Sequence, residues 1–166
     1  NKESQCRKMS VEKQLVELAN SISSDYNVLR AWVLPSLMEI LSSNKHHEYP
    51  QKVFAVGTTF SKNSKMETNI EESQSLAAVI ASEKTDYTEA RQILDYLFRS
   101  LGVKYEIIET EHGSFVNGRA ACVSVNGKKV AYLGEINLEV IQNWNLEVPV
   151  SAFELNLTEL YNSLGK

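Results

Sequence analysis

The stretch AACVSVNGKKVAYL, residues 120–133, decides the fold. Two β-rich runs, Ala120 to Val125 and Lys128 to Leu133, flank Asn126-Gly127. Asn and Gly both tolerate the left-handed backbone, so the pair closes a two-residue turn whose twist matches that of antiparallel strands. Working outward, Val103 to Glu109 reads as a further strand, followed by a turn around Gly113. Downstream, Leu138 to Trp144 reads as a short helix and Pro149 to Asn156 as a final strand. Leu157, Leu160, Tyr161 and Leu164 then give a terminal amphipathic helix, with Asn156 and Glu159 as its capping pair.

Upstream, Asp86 and Glu89 form a D-x-x-E capping box. Ala90, Ile93, Leu94, Leu97, Phe98 and Leu101 hold one helical face behind it, and Gly102 stands where a left-handed C-terminal cap belongs. Leu76 to Ser82 is apolar enough to lie inside a sheet, and Val53 to Phe60 is β-rich. Between them, residues 61–74 read as a polar loop. A second helix starts near Pro35, with Leu34, Leu37, Met38 and Leu41 on one face. Pro50 stops it. Gln14 to Ala19 alternates as a short strand, and the polar residues 1–13 are expected to fray or be disordered. Hairpin-joined strands with irregularly interspersed helices predict an α+β domain, residues 14–166, with a mostly antiparallel sheet flanked by helices and covered on one face.

Composition narrows the function classes. With 166 residues the chain can bury a real core as one domain. A net charge of −4, with both signs interleaved, lacks the basic footprint of a domain that grips a nucleic-acid backbone alone. Cys6 and Cys122 lie far apart and outside any CxxC spacing, which argues against a disulfide framework or zinc site and fits a reducing, cytoplasmic compartment. No apolar run approaches the ~20 residues that cross a bilayer, so no membrane partner is expected. The chain opens on Asn1 rather than Met, which suggests a piece of something larger.

Residues that carry chemistry are few. Adjacent His46-His47 on a helix end cannot share a ligand, because metal pairs need i, i+3 or i+4 spacing, and no metal site is expected. His112 has the type of an acid or base but no partnering nucleophile. Phosphate-cradling glycine loops are absent. Glu135 and Glu154 each interrupt or end an apolar strand, and either binds a ligand or pairs within the fold. Arg119, at a strand mouth after Asn117-Gly118, suits a carboxylate or phosphate clamp, or a tether to Glu135. No catalytic set emerges.

Seven stretches in order resemble one family. Asn27-Val28-Leu29-Arg30 with Val33-Leu34-Pro35-Ser36-Leu37-Met38-Glu39 is similar to an L-R-x-x-L-L-P-G-L-L-E helix start. Ser43 to Glu48 and Pro50 to Phe54 continue it. Phe54-Ala55-Val56-Gly57 resembles F-E-[IV]-G, and Phe115 to Ala121 resembles F-[IV]-x-G-R-x-A. Gly134-Glu135-Ile136 and Pro149 to Leu155 match two last signatures. Together they resemble the β subunit of phenylalanyl-tRNA synthetase in its archaeal and eukaryotic form. Ala55 replaces a family Glu, Ser36 a Gly, and Asn137-Leu138 a common His-Pro.

The resemblance implies the catalytic-like, inactive class II aminoacyl-tRNA synthetase-like module of that subunit. It implies a non-catalytic assembly role in an (αβ)2 heterotetramer, with phenylalanine, ATP and magnesium handled by the α subunit and tRNA held by other domains. Neither an F-R-x-E segment nor a G-x-G-x-x-R helix start, the class II ATP signatures, is found. That argues against a third reading, an independent synthetase. Because class II synthetases pair through a helix and the strand after it, Trp32, Leu34, Leu37, Met38 and Leu41 become candidates for the subunit interface; the same face could instead cover the domain's own sheet. The competing reading is a free-standing regulatory protein that binds an amino acid or nucleotide near Arg119, Glu135 and Glu154.

Overall fold

Asn126 and Gly127 both adopt positive φ, +50° and +79°, and close the predicted hairpin. A computed structural model of the chain describes residues 1–21 and 27–165; most of the polar stretch 20–27 lies outside them. Six strands form one antiparallel sheet: β1 (Gln51–Lys62), β2 (Ile70–Ala81), β3 (Glu106–Glu109), β4 (Phe115–Val125), β5 (Lys128–Ile136) and β6 (Val150–Asn156). Their spatial order is β1-β2-β6-β5-β4-β3, which leaves β1 and β3 as edges. The helices are α1 (Lys2–Gln5), α2 (Leu34–Ser43), α3 (Tyr87–Ser100), α4 (Leu138–Asn143) and α5 (Leu157–Ser163).

Helices lie on both faces of the sheet, not one. Strand alternation splits the inward residues: Ala77, Val79, Val150 and Ala152 join α2 and α4 in a first core. Leu133, Phe153 and Leu155 point the other way and join Leu94 and Phe98 of α3 and Leu160 of α5 in a second. The one-sided expectation fails because β2 and β6 are apolar on both faces, and each face must be covered.

Three further readings are corrected. The loop expected over residues 61–74 is confined to residues 63–69: Ser61-Lys62 and residues 70–74 extend β1 and β2 into a long hairpin, pairing as far as Lys62 with Ile70. Their polarity reflects the open end of the hairpin rather than a lack of pairing. Residues 14–19 form only one isolated bridge, Glu17 with Val28. The N-terminal segment, expected to fray, is packed. Met9 is fully buried and its carbonyl accepts from Ser114 Oγ at 2.6 Å. Gln5 Oε1 accepts from the Ala31 and Trp32 amides, while Trp32 Nε1 donates to the Gln5 carbonyl at 2.9 Å. The amide side chain of Gln5 thus satisfies backbone donors that no local element could reach.

Candidate functional site

Helix α2 begins without a local cap. Val33 precedes it and offers no side-chain oxygen, so the first amides would be orphaned. Glu154 of β6 supplies the missing acceptors: its Oε1 accepts from Val33 N and its Oε2 from Leu34 N, each at 2.8 Å. A carboxylate at a helix N-terminus also meets the positive end of the dipole. Enclosure by protein raises the pKa of Glu154 to about 7, against the pull of those two amides and of Lys13 and Arg30.

Glu135 does the same for α3 on the opposite face. Its Oε1 accepts from Tyr87 N at 2.9 Å, and its Oε2 takes Arg119 Nη1 at 2.8 Å. Asp86 adds the local cap, accepting from Glu89 N at 2.9 Å. The predicted capping box is only half formed, because the Glu89 carboxylate turns to Lys52 Nζ and Thr85 Oγ1. Glu135 pairs across the ladder with Ser151 and Glu154 with Tyr132, positions of opposite parity. Arg119, Glu135 and Glu154 therefore do not converge on one site. Arg119 makes the contact to Glu135 that one sequence reading offered.

Beside Glu154 the first face of the sheet is uncovered. Along β2 the residues of that face run Ser73, Ser75, Ala77, Val79, so the face turns from polar to apolar partway. α2 covers the apolar half. The polar half opens as a cavity of about 260 Å3. In it, Thr59 Oγ1 and Ser75 Oγ lie 3.2 Å apart, and Thr59 is buried. The segment leading into α2 crosses β1 here: Arg30 donates through Nε and Nη2 to the Thr58 carbonyl, and Phe60 N donates to the Arg30 carbonyl. Gly57 is what permits this crossing, since a Cβ there would collide with the Arg30 guanidinium.

His112 closes the cavity from the β3–β4 loop. Its ring lies 5.8 Å from Trp32, 5.1 Å from Phe115 and 5.4 Å from Tyr132. Burial, with Lys13 nearby, pushes its pKa down to about 4, so it is neutral near pH 7 and serves as an aromatic wall. Lys13 Nζ stands 4.6 Å from the centre of the Trp32 ring, and desolvation pushes its pKa down while Glu154 opposes. Sequence reasoning missed Lys13 and Thr59. The polar-to-apolar drift along β2 was the available signal.

The interface candidates are all used internally. Trp32 is 6% exposed, and Leu34, Leu37, Met38 and Leu41 are buried in the first core. They face the domain's own sheet, because α2 has nothing else to cover that half of it. Apolar surface is exposed elsewhere. Phe54 (71%) and Val56 (56%) project from edge strand β1 on the second face, and Tyr96 (75%) and Ile93 from α3. Between them runs a groove of about 480 Å3 floored by Leu76, Ala78 and Phe153. Among the described residues, no three His, Cys, Asp or Glu side chains are placed to hold a metal ion, and no helix is long and apolar enough to cross a membrane.

Fold and surfaces together define an antiparallel α+β domain whose strand carboxylates seat its own helices, with an apolar groove open beside an edge strand. Residues 1–157 match the family model described as the phenylalanyl tRNA synthetase beta chain CLM domain. The chain is 51% identical over 162 residues to a protein of Pyrococcus abyssi named phenylalanine–tRNA ligase beta subunit, covering 97% of this chain and 29% of that protein. The Pyrococcus horikoshii protein of the same name is 48% identical over 162 residues, again 97% of this chain and 29% of that protein. A Methanopyrus kandleri protein of that name is 39% identical over 162 residues, 96% of this chain and 28% of that protein. The chain belongs to the phenylalanyl tRNA synthetase beta chain CLM domain family. It spans less than a third of the length of these curated relatives.

Proposed function

We propose that this chain is a non-catalytic assembly module of phenylalanine–tRNA ligase, a class II synthetase-like domain that meets an α subunit within an (αβ)2 heterotetramer in the cytoplasm. The observation that carries the reading is the apolar groove between β1 and α3, beside the edge strand of the sheet. Exposed aromatics beside an edge strand suit a protein partner, where aromatic anchors concentrate. The non-catalytic part rests on the three polar residues best placed for chemistry, which are engaged in holding α2 and α3.

In this reading the α subunit attaches phenylalanine to its tRNA with ATP and magnesium, and other domains of the β subunit hold the tRNA. Arg119, which the sequence offered as a phosphate clamp, is tied to Glu135 at 2.8 Å on the face away from the cavity, which supports placing nucleotide binding in the α subunit.

The test is co-purification of the β subunit with the α subunit, with the mass of the complex taken from light scattering. A heterotetramer whose assembly weakens at least about tenfold in Phe54→Asp and Tyr96→Asp is expected, because a charge in an apolar contact costs more than 1.4 kcal/mol. Unchanged assembly in both variants would remove the groove from the interface. Failure of the intact β subunit to bind the α subunit would sink the assembly role.

A further inference from the structure

The sequence holds two Asn-Gly pairs, and the sheet treats them oppositely. Asn126-Gly127 closes the β4–β5 hairpin beside the paired Val125 and Lys128, and Asn126 Nδ2 donates to the Ser163 carbonyl at 2.8 Å. Asn117-Gly118 lies instead in a bulge of β4. Phe115 pairs with Ile136 and Ala120 with Gly134, so residues 116–119 stand opposite Glu135 alone. β3 gives them no partner either, because its ladder with β4 runs only from Ala121 onward. Asn117 and Gly118 are both exposed. Among the described residues, the Asn117 carboxamide has no hydrogen-bond partner, although its neighbours Ser114 and Arg119 do. Gly118 takes φ +76°, and the space where a Cβ would stand is open.

An asparagine carboxamide is open to attack by the backbone nitrogen of the residue after it, provided the two atoms reach a near-attack geometry. Glycine obstructs that approach least, having no Cβ. Ladder pairing and a tethered carboxamide both oppose it, since they fix the dihedrals that must turn. We propose that Asn117 is a site of spontaneous covalent modification, deamidation through a cyclic imide, and that Asn126 is protected from it. Gly118 N gives up its proton and bonds to Asn117 Cγ. The Cγ–Nδ2 bond breaks, and Nδ2 takes up that proton and leaves as ammonia. The succinimide then adds one water at either of its carbonyls, giving aspartate or isoaspartate with no change of oxidation state. Isoaspartate lengthens the main chain by one carbon, which residues tied into neither ladder accommodate without breaking the sheet. Either product places a new carboxylate in the same bulge as Arg119, the cation that meets Glu135. The site does not depend on the assembly reading.

The experiment incubates the full chain in mildly alkaline buffer, folded and in urea, and maps its tryptic peptides by mass over time. Trypsin cuts after Lys104, Arg119 and Lys128, so the two Asn-Gly pairs fall in separate peptides, residues 105–119 and 120–128. Exchange of NH for O in the mass marks each conversion. In the folded chain, Asn117 is expected to convert at least about tenfold faster than Asn126, the factor that one retained hydrogen bond supplies. In urea, where neither bulge nor hairpin survives, the two rates are expected to agree within about twofold. The converted 105–119 peptide should also separate into two forms of equal mass, aspartyl and isoaspartyl. Equal rates for the two pairs in the folded chain would overturn the inference. So would an unconverted Asn117 in the folded chain once the unfolded chain has reacted fully. A single aspartyl product would replace the cyclic imide with direct hydrolysis and overturn the mechanism.

Discussion

Glu154 and His112 sit on the same cavity and titrate in opposite senses. Glu154 has its folded pKa raised from 4.5 to about 7, so the stability it contributes is complete below pH 4.5 and is lost as pH rises toward 7. His112 has its folded pKa lowered from 6.5 to about 4, so its contribution is complete above pH 6.5 and is lost as pH falls toward 4. Each amounts to at most about 3 kcal/mol. Between pH 4.5 and 6.5 the two slopes offset each other. Urea unfolding across that window is therefore expected to be nearly flat for the parent chain. It should fall with pH in His112→Gln and rise with pH in Glu154→Gln. Identical profiles in all three would show that neither group is perturbed. Glu154→Gln should also lose about 1–2 kcal/mol at pH 5, since a carboxamide can accept from only one of the two amides at the start of α2.

At the scale of elements, the two inner helices are held by strands far away in sequence. Glu135 serves both Tyr87 N and Arg119, yet these partners are unequal. The Arg119 side chain is largely exposed, and its half of the arrangement is a surface pair of little worth. Arg119→Ala is expected to cost under about 1 kcal/mol, and Glu135→Ala about 1–2 kcal/mol through the orphaned amide of α3. A double-mutant cycle by chemical denaturation separates the two; equal losses would mean that the ion pair, not the cap, carries the stability. The β4–β5 turn offers a second check. Gly127 sits at φ +79°, where a Cβ is strained, so Gly127→Ala should cost about 1–2 kcal/mol in the same assay.

Across the whole molecule, burial divides the apolar residues into those that make the fold and those left exposed. Leu37 is fully buried, and Leu37→Ala should destabilise the chain by about 2–5 kcal/mol. Phe54, by contrast, is exposed, and Phe54→Asp should change stability by no more than about 0.5 kcal/mol. The isolated chain is expected to self-associate through the groove at high concentration, and sedimentation should find Phe54→Asp monomeric under the same conditions. Self-association that survives the substitution would place the sticky surface elsewhere.

The local chemistry of this chain was legible without its tertiary structure. Asn126-Gly127 dictated a hairpin because few other pairs tolerate two left-handed residues in succession. Asp86 announced the start of α3, and Asn156 that of α5, because a side-chain oxygen one residue ahead of a helix has amides within reach. The family, too, was readable from motifs in their order. What lay beyond the sequence was the use to which each side chain is put. Val33 carries no sign that its amide needs a carboxylate 121 residues away, because the need is local and the answer is not. The apolar stripe of α2 reads the same whether it meets its own sheet or a partner, and only the placement of β1 and β2 beneath it decides. Polar residues 1–13 look frayed until Gln5 and Met9 are seen filling the space beside Trp32 and Trp144. Periodicity and capping act over a few residues and are written in the chain, whereas the pairing of faces depends on which surfaces remain once every other element has been packed.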